Sequence, residues 1–391
     1  MFKNSTIPKA GFLFKIYCTL GFLPFKWNKN KECLTLCNNI QLGFYAFNGI
    51  LVNFIQGIFL MSRLVQYQAW MSQHNAWGDV KSMGQLTVFI TTTFTALGFC
   101  LLSVVILLKR SEISKLINEL VRFRKELQRG NKLQESHDNF GNTLQLKKDF
   151  SVLPVIVVIS TLRTVASTAI SNSNPTAPLV LYSAFPEAWK SHYAHKTYVI
   201  VHFLSNATGW AAAVVNLASV FLYVETMNFA LNIWSSKNNP RRIPGLKHYR
   251  ELRVMSRLFV VAASELLLPL FISLATLIVT LACYGAIRFF GRMHLKFYIR
   301  FITPAFGINV FFSKLLVPSA KLKEHSNSMK KSIYKSSNSF CPAEKSAVAK
   351  RLASMPDLEI KIGSYFAVKR KTYITFVGML SVNVVTLLIN W

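Results

Sequence analysis

Seven stretches of about twenty residues are apolar almost throughout: 41–61, 86–108, 150–170, 198–223, 258–284, 297–317 and 372–391. Each is long enough to cross the hydrocarbon core of a bilayer as a helix, which takes roughly 20 residues. The first is closed by Arg63 and the second by Lys109-Arg110. The second helix is expected to run on through 111–133, where Ile113, Leu116, Leu120, Val121 and Phe123 to Leu127 fall on roughly one side and Gly130 offers a stop. The fourth is expected to continue past the membrane to about residue 234. Residues 319–340 are rich in Ser, Asn and Lys and are expected to be mobile. Residues 342–361 have helical composition, interrupted by Pro356. The apolar run 10–25 is broken by Lys15 and lacks a small-residue cleavage site, so it predicts an interfacial helix or a packed segment rather than a signal peptide.

The last stretch differs from a plain anchor. Counting along it at 3.6 residues per turn from Thr372 lands on Thr375, Met379, Asn383, Thr386 and Asn390, four of them polar. Lipid leaves such groups unsatisfied, so the stripe requires either neighbouring helices or water.

Composition ties these runs to a membrane. The chain has 391 residues, 52% hydrophobic, with a mean hydropathy of +0.33 and a net charge of +29. A nucleic-acid binder could carry that charge, but not several uninterrupted apolar runs. The connecting segments 1–40, 109–149, 235–257 and 319–371 hold six, ten, seven and twelve Lys or Arg, thirty-five of the 45. The alternate segments hold only Lys81, Lys190, Lys196, Arg288, Arg292 and Lys296. The positive-inside rule then predicts an all-α polytopic membrane protein of seven transmembrane helices, N-terminus cytoplasmic and C-terminus extracellular. The chain divides into a cytoplasmic segment (1–40), six helices with cytoplasmic extensions (41–318), a basic cytoplasmic segment (319–371) and the last helix (372–391). Apolar residues recurring on one face of the extensions predict that they pack into a basal domain.

Nothing points to catalysis, to a cofactor or to a metal. There is no nucleophile elbow, phosphate-cradling glycine loop, metal-ligand His pair or spaced carboxylate dyad. Cys18, Cys33, Cys37, Cys100, Cys283 and Cys341 lack C-x-x-C spacing and avoid the predicted extracellular loops, so no structural disulfide is expected. Four ionisable groups fall inside predicted spans. Glu225 and Arg300 lie near span ends, where snorkelling accounts for them. Arg163 and Glu265 lie deeper, and a pair bridging the third and fifth spans is one reading.

Three segments resemble the insect gustatory and odorant receptor superfamily. Leu20-Gly21-Phe22-Leu23-Pro24-Phe25 is similar to the Leu-Gly-aromatic-x-Pro-aromatic segment before the first span of many gustatory receptors. Gly363-Ser364-Tyr365-Phe366-Ala367-Val368-Lys369-Arg370 is similar to the lead-in to their seventh helix. Thr372-Tyr373 fits the start of the C-terminal Thr-Tyr…Gln-Phe hallmark, with Met379-Leu380 in place of Gln-Phe. Spacing from Phe366 favours 382–390 instead, where only the apolar middle is kept. The resemblance implies a plasma-membrane, four-subunit, ligand-gated, non-selective cation channel in chemosensation, homomeric or heteromeric, opened by a small organic, tastant-like ligand. It further implies a pore wall of Asn383, Thr386, Leu387 and Asn390, and an anchor domain from 228–258 and 342–371. The ligand pocket would lie in the outer halves of the spans, with Tyr45, Arg163, Tyr182, His202, Trp210, Glu265 and Tyr284 as candidates.

Two other classes fit less well. A seven-span G-protein-coupled receptor needs its N-terminus outside, against the charge count, and the sequence lacks an Asp-Arg-Tyr or Asn-Pro-x-x-Tyr motif at the required positions. A secondary transporter would show internal repeats or glycine-broken spans.

Overall fold

The computed structural model describes residues 15–28, 33–135, 160–161, 164–165, 167–169, 171–173, 175, 180–235, 246–292, 295–337, 341–363 and 366–390. After a short antiparallel hairpin, β1 (Phe25–Asn28) and β2 (Cys33–Leu36), helix α1 runs over Asn39–Gln73. Asn38 caps it, its side chain accepting from Gln41 N, and a π segment interrupts it at Phe47–Val52. Arg63 does not close this helix, which continues for ten residues beyond it. Helix α2 (Val80–Leu108) is capped by Asp79, whose carboxylate accepts from Ser82 N at 2.9 Å. Helix α3 (Arg110–Glu135) follows directly. It runs through Gly130, because one glycine costs a helix only about 1 kcal/mol.

Of the expected third span, the described residues between 160 and 173 are helical. The rest of 150–170, Arg163 included, lies outside the described residues. Helix α4 (His192–Ser235) has 44 residues, about 66 Å at 1.5 Å per residue, twice the ~30 Å hydrocarbon thickness. The expected extension past the fourth span is therefore present. Helix α5 (Leu246–Phe259) enters a π segment, Val260–Ser264, and the chain then breaks at Glu265-Leu266 before α6 (Leu267–Arg288). The fifth span thus starts later than 258, and Glu265 sits exposed at the break instead of deep within a span.

Helix α7 (Leu295–Ser336) corrects the expectation for 319–340. As far as Ser336 that stretch continues the sixth helix instead of being mobile, because Leu322, Ser326, Met329 and Ile333 recur on one face and are all buried. Pro304 and Pro318 lie within it. Helix α8 (Pro342–Ala353), the short strands β3 (Lys361–Ile362) and β4 (Phe366–Ala367), and α9 (Arg370–Asn390) complete the described fold.

Six described helices are long and apolar enough to cross a membrane. Helix α4 is the axis of the bundle: 83% of its apolar stretch is buried, against 17% for α9. Gly209 allows the close crossing of α4 by α2, since a Cβ there would stand 2.4 Å from the Phe99 ring.

At the base-rich end the helical extensions pack on one another. Ile113, Leu116, Leu120 and Phe123 of α3 are buried with Tyr223, Met227 and Trp234 of α4 and with Tyr249, Leu252 and Phe259 of α5. The N-terminal segment is packed too, with Leu23 and Phe25 fully buried. Its hairpin is pinned to α3, where Asn118 accepts from Leu34 N at 2.7 Å and donates to Leu34 O at 2.8 Å. Arg124, 1% exposed, donates to Glu225 at 2.8 Å and lies over the Phe229 ring. Glu225 is therefore tied down by an ion pair and does not snorkel. The side chain of Arg300 lies outside the described residues.

The connection into α9 is strapped to this base. Tyr249 Oη meets Ser326 Oγ and donates to Pro356 O, both at 2.9 Å, while Lys330 donates to Met355 O and Asp357. Ser264 Oγ donates to Lys361 O, and Gly363 N donates back to Ser264 O at 2.9 Å. The π segment after α5 is thereby joined to the lead-in of the last helix. Arg370 closes the strap on Glu324 at 2.7 Å.

Candidate functional site

Three features lie within the membrane-spanning part: an aromatic and histidine cluster, an apolar cavity, and the uncovered face of α9. The cluster sits at the end of the bundle away from the base. Val180, Tyr182 and Tyr198 are buried together, with Phe185 packed against them. Tyr182 lies 5.1 Å from His195 and 5.8 Å from Tyr198, and its hydroxyl donates to Ser191 O. One turn further along α4, His202 stacks on Tyr198 at 5.6 Å and 20°. Ser167 Oγ lies 3.1 Å and Asn206 Nδ2 3.0 Å from its Nε2. A buried imidazole held by a hydroxyl and an amide is a polar group already satisfied within the protein.

The cavity lies between α2, α4, α6 and α7, with a volume of about 140 Å³. Phe94, Phe99, Trp210, Phe271 and Phe311 line it, Phe99 and Trp210 meeting edge to face at 5.1 Å. No charged side chain lines it. The hydroxyls of Thr95 and Thr303 donate to Thr91 O and Ile299 O of their own helices, leaving lone pairs as acceptors. Such a chamber suits an uncharged, largely apolar molecule of few atoms with at most a hydrogen-bond donor to offer.

Helix α9 is covered along one ridge. Thr372, Phe376, Leu380 and Val384, every fourth residue, are buried, and Phe376 meets Phe312 of α7 at 4.3 Å. Beside that ridge Thr375, Met379, Asn383, Thr386 and Asn390 are all exposed. The Thr375 and Thr386 hydroxyls donate to carbonyls four residues back, so their lone pairs are what the row presents outward. Leu387 is half-buried and packs against the cluster of Met71, Met83, Tyr284, Phe289 and Phe301.

The residues singled out from the sequence are thus distributed. Tyr182 and His202 belong to the aromatic cluster, Trp210 to the cavity, and Tyr284 is buried behind the last helix. Tyr45 is fully buried, its hydroxyl donating to Ser103 O at 3.2 Å. Glu265 stands apart, at the break before α6. Four cavity phenylalanines escaped sequence reasoning, because nothing separates them from the rest of the 31 in the chain.

Long apolar helices that continue into a packed base, with a last helix covered along only one ridge, make a multi-pass membrane fold. No family model matches the sequence, and no curated protein sequence matches it. Solved structures do. The chain is similar to the insect olfactory receptor OR5 from Machilis hrabei, with a TM-score of 0.63 at 12% identity over 98% of this chain and 97% of the other. The same receptor in complex with eugenol matches with a TM-score of 0.63 at 14% identity and equal coverage.

Proposed function

We propose that the protein is a chemosensory receptor of the insect odorant and gustatory superfamily, acting as a subunit of a ligand-gated, non-selective cation channel in the plasma membrane. The observation that carries this reading is the last helix, packed along one ridge and open along a polar row. Exposed to lipid, the side-chain amides of Asn383 and Asn390 would be unsatisfied. Four copies around an axis, as homomer or heteromer, turn that row toward water. Uncharged amide and hydroxyl groups there bind cations weakly and discriminate little between them. The charge asymmetry supports a cytoplasmic base and an extracellular C-terminus.

The ligand is a small organic molecule, as eugenol is for the olfactory receptor complex. The apolar cavity favours an uncharged aromatic or aliphatic compound over a sugar or an amine, which would leave hydroxyl or ammonium groups unpaired. The test is heterologous expression, alone and with candidate partner subunits, with recording under a panel of such compounds. Expected is an inward cation current whose ion preference changes in Asn383→Leu and Thr386→Leu. Silence in every combination despite normal surface delivery, or variants that leave conductance and preference unchanged, overturns the assignment of this helix to the pore.

A further inference from the structure

Three Ser or Thr residues of the chain stand three positions after an arginine: Ser256 after Arg253, Thr303 after Arg300 and Ser354 after Arg351. A cation at that spacing is what a basophilic protein kinase binds, pairing it with carboxylates beside its catalytic cleft. The fold separates the three. Thr303 lines the apolar cavity within the long helix α7. Ser256 is half-buried inside α5. Ser354 is exposed at the C-terminal end of α8, and of the three it alone has a second cation, Lys350, one residue further back. Lys350 and Arg351 are themselves exposed. Helix α8 is also lightly held. Its 12 residues are at the lower limit for an isolated helix, about 12–15, and Leu352 is the only one of them that is buried. The Ser354 hydroxyl makes one exposed bond, donating to Arg351 O at 2.9 Å. A kinase takes its substrate segment extended. Presenting 350–355 withdraws two buried side chains, Leu352 and Met355, and the bond from Lys330 to Met355 O. That is a local opening well short of unfolding the base.

We propose that Ser354 is a phosphorylation site, modified by a basophilic serine/threonine kinase of the cytosol. The γ-phosphoryl group of ATP passes to Ser354 Oγ, the hydroxyl proton goes to the kinase's base, and ADP leaves. Met355 in the next position excludes a proline-directed enzyme. Asp357, three residues on, would suit an acidophilic enzyme, but its carboxylate is held by Lys330 at 2.7 Å while Arg351 stands exposed. The facing stretch of α7 is cationic. Lys330, Lys331 and Lys335 line a cleft of about 400 Å³ together with Leu352 and Ala353, the residues just before Ser354. A phosphoserine carries about −1.5 to −2 charges at neutral pH. It would stand one residue from Met355, whose carbonyl accepts from Lys330 at 2.6 Å. The modification therefore falls on the strap that leads into α9. Access to ATP and a kinase requires the cytoplasmic base proposed above.

The experiment treats the purified full-length protein in nanodiscs with ATP and the catalytic subunit of a cyclic-AMP-dependent kinase, and maps phosphate by peptide mass spectrometry. The expected result is phosphate on Ser354, lost in Ser354→Ala and slowed about tenfold in Arg351→Ala, the worth of one charge-assisted bond. Both changes are at exposed positions, and an unaltered melting midpoint checks that the variants fold. No phosphate on Ser354 of the folded protein overturns the proposal. So does a rate unchanged in Arg351→Ala, or modification by an acidophilic kinase alone. The same site is then mapped in cells expressing the receptor, with basophilic kinase activity raised, where phosphate on Ser354 is again expected. Phosphate on the purified protein but none in cells overturns the site's use there. An N-terminal epitope labelled on intact cells would trace that failure to the orientation, and one labelled only after permeabilisation to the site itself. None of these readouts needs a current, so the site stands or falls apart from the channel assignment.

Discussion

Gly307 lines the cavity, and open space lies where its Cβ would stand. A side chain added there displaces no neighbour, and a large one at this lining position narrows the chamber. Gly307→Ala is expected to leave ligand responses near wild type and to stabilise α7 by up to about 1 kcal/mol, the helix penalty of glycine. Gly307→Phe is expected to narrow the chamber, and dose–response recording to give at least a tenfold loss of sensitivity with surface delivery intact. An unchanged response would place the ligand elsewhere, the Tyr182–His202 cluster being the next candidate. This glycine is invisible in the sequence, where it is one of 17. Sequence reading did reach Trp210, because an aromatic ring within a span is a natural pocket wall. It could not tell Trp210 from Tyr284, which differs only in what packs over it. Thiol chemistry follows the same logic. Burial pushes the Cys18 thiol up to about 12, leaving it un-ionised at neutral pH, while Cys341 is exposed. Maleimide labelling of the folded protein is expected to modify Cys341 rapidly and Cys18 only on unfolding.

Among the elements, α3 and α4 are joined at the base by Arg124 and Glu225, spaced 101 residues apart. Arg124→Ala removes the guanidinium that holds this half-buried carboxylate, and breaking such a pair costs up to about 3–5 kcal/mol. The expected outcome is a lower melting midpoint and reduced surface delivery, with Arg124→Ala/Glu225→Ala costing less than the sum of the single changes. Strict additivity would show that the pair contributes nothing as a pair. The amphipathic face of α3 was legible from Ile113, Leu116 and Leu120. The partner of Arg124 was not, since Glu225 read from the chain alone is simply a charge at the end of a span. Residues 319–340 teach the converse lesson. Their Ser, Asn and Lys content suggests disorder, yet Leu322, Met329 and Ile333 on one face suffice to hold a helix once α4, α5 and the strap through Tyr249 and Ser326 lie against it. Composition averages over faces, whereas burial selects one.

For the whole molecule, thirty-five of 45 basic residues lie in alternate connections, and the described ones gather at the end where α3, α5 and α8 pack. An epitope at the C-terminus is therefore expected to be labelled on intact cells and one at the N-terminus only after permeabilisation. The opposite pattern would overturn both the orientation and the proposed pore geometry. The sequence by itself carried the apolar runs, the charge asymmetry from which a direction across the membrane is proposed, and the polar row on the last helix. Those follow from hydropathy, from charge and from the 3.6-residue period, all of which are local. Only the tertiary structure decided that the polar row is left uncovered while the ridge beside it is packed. It alone placed Trp210 at a cavity and Glu265 at a helix break. Such facts depend on which faces of distant segments meet, and meeting is set by packing across a hundred or more residues, which no local pattern encodes.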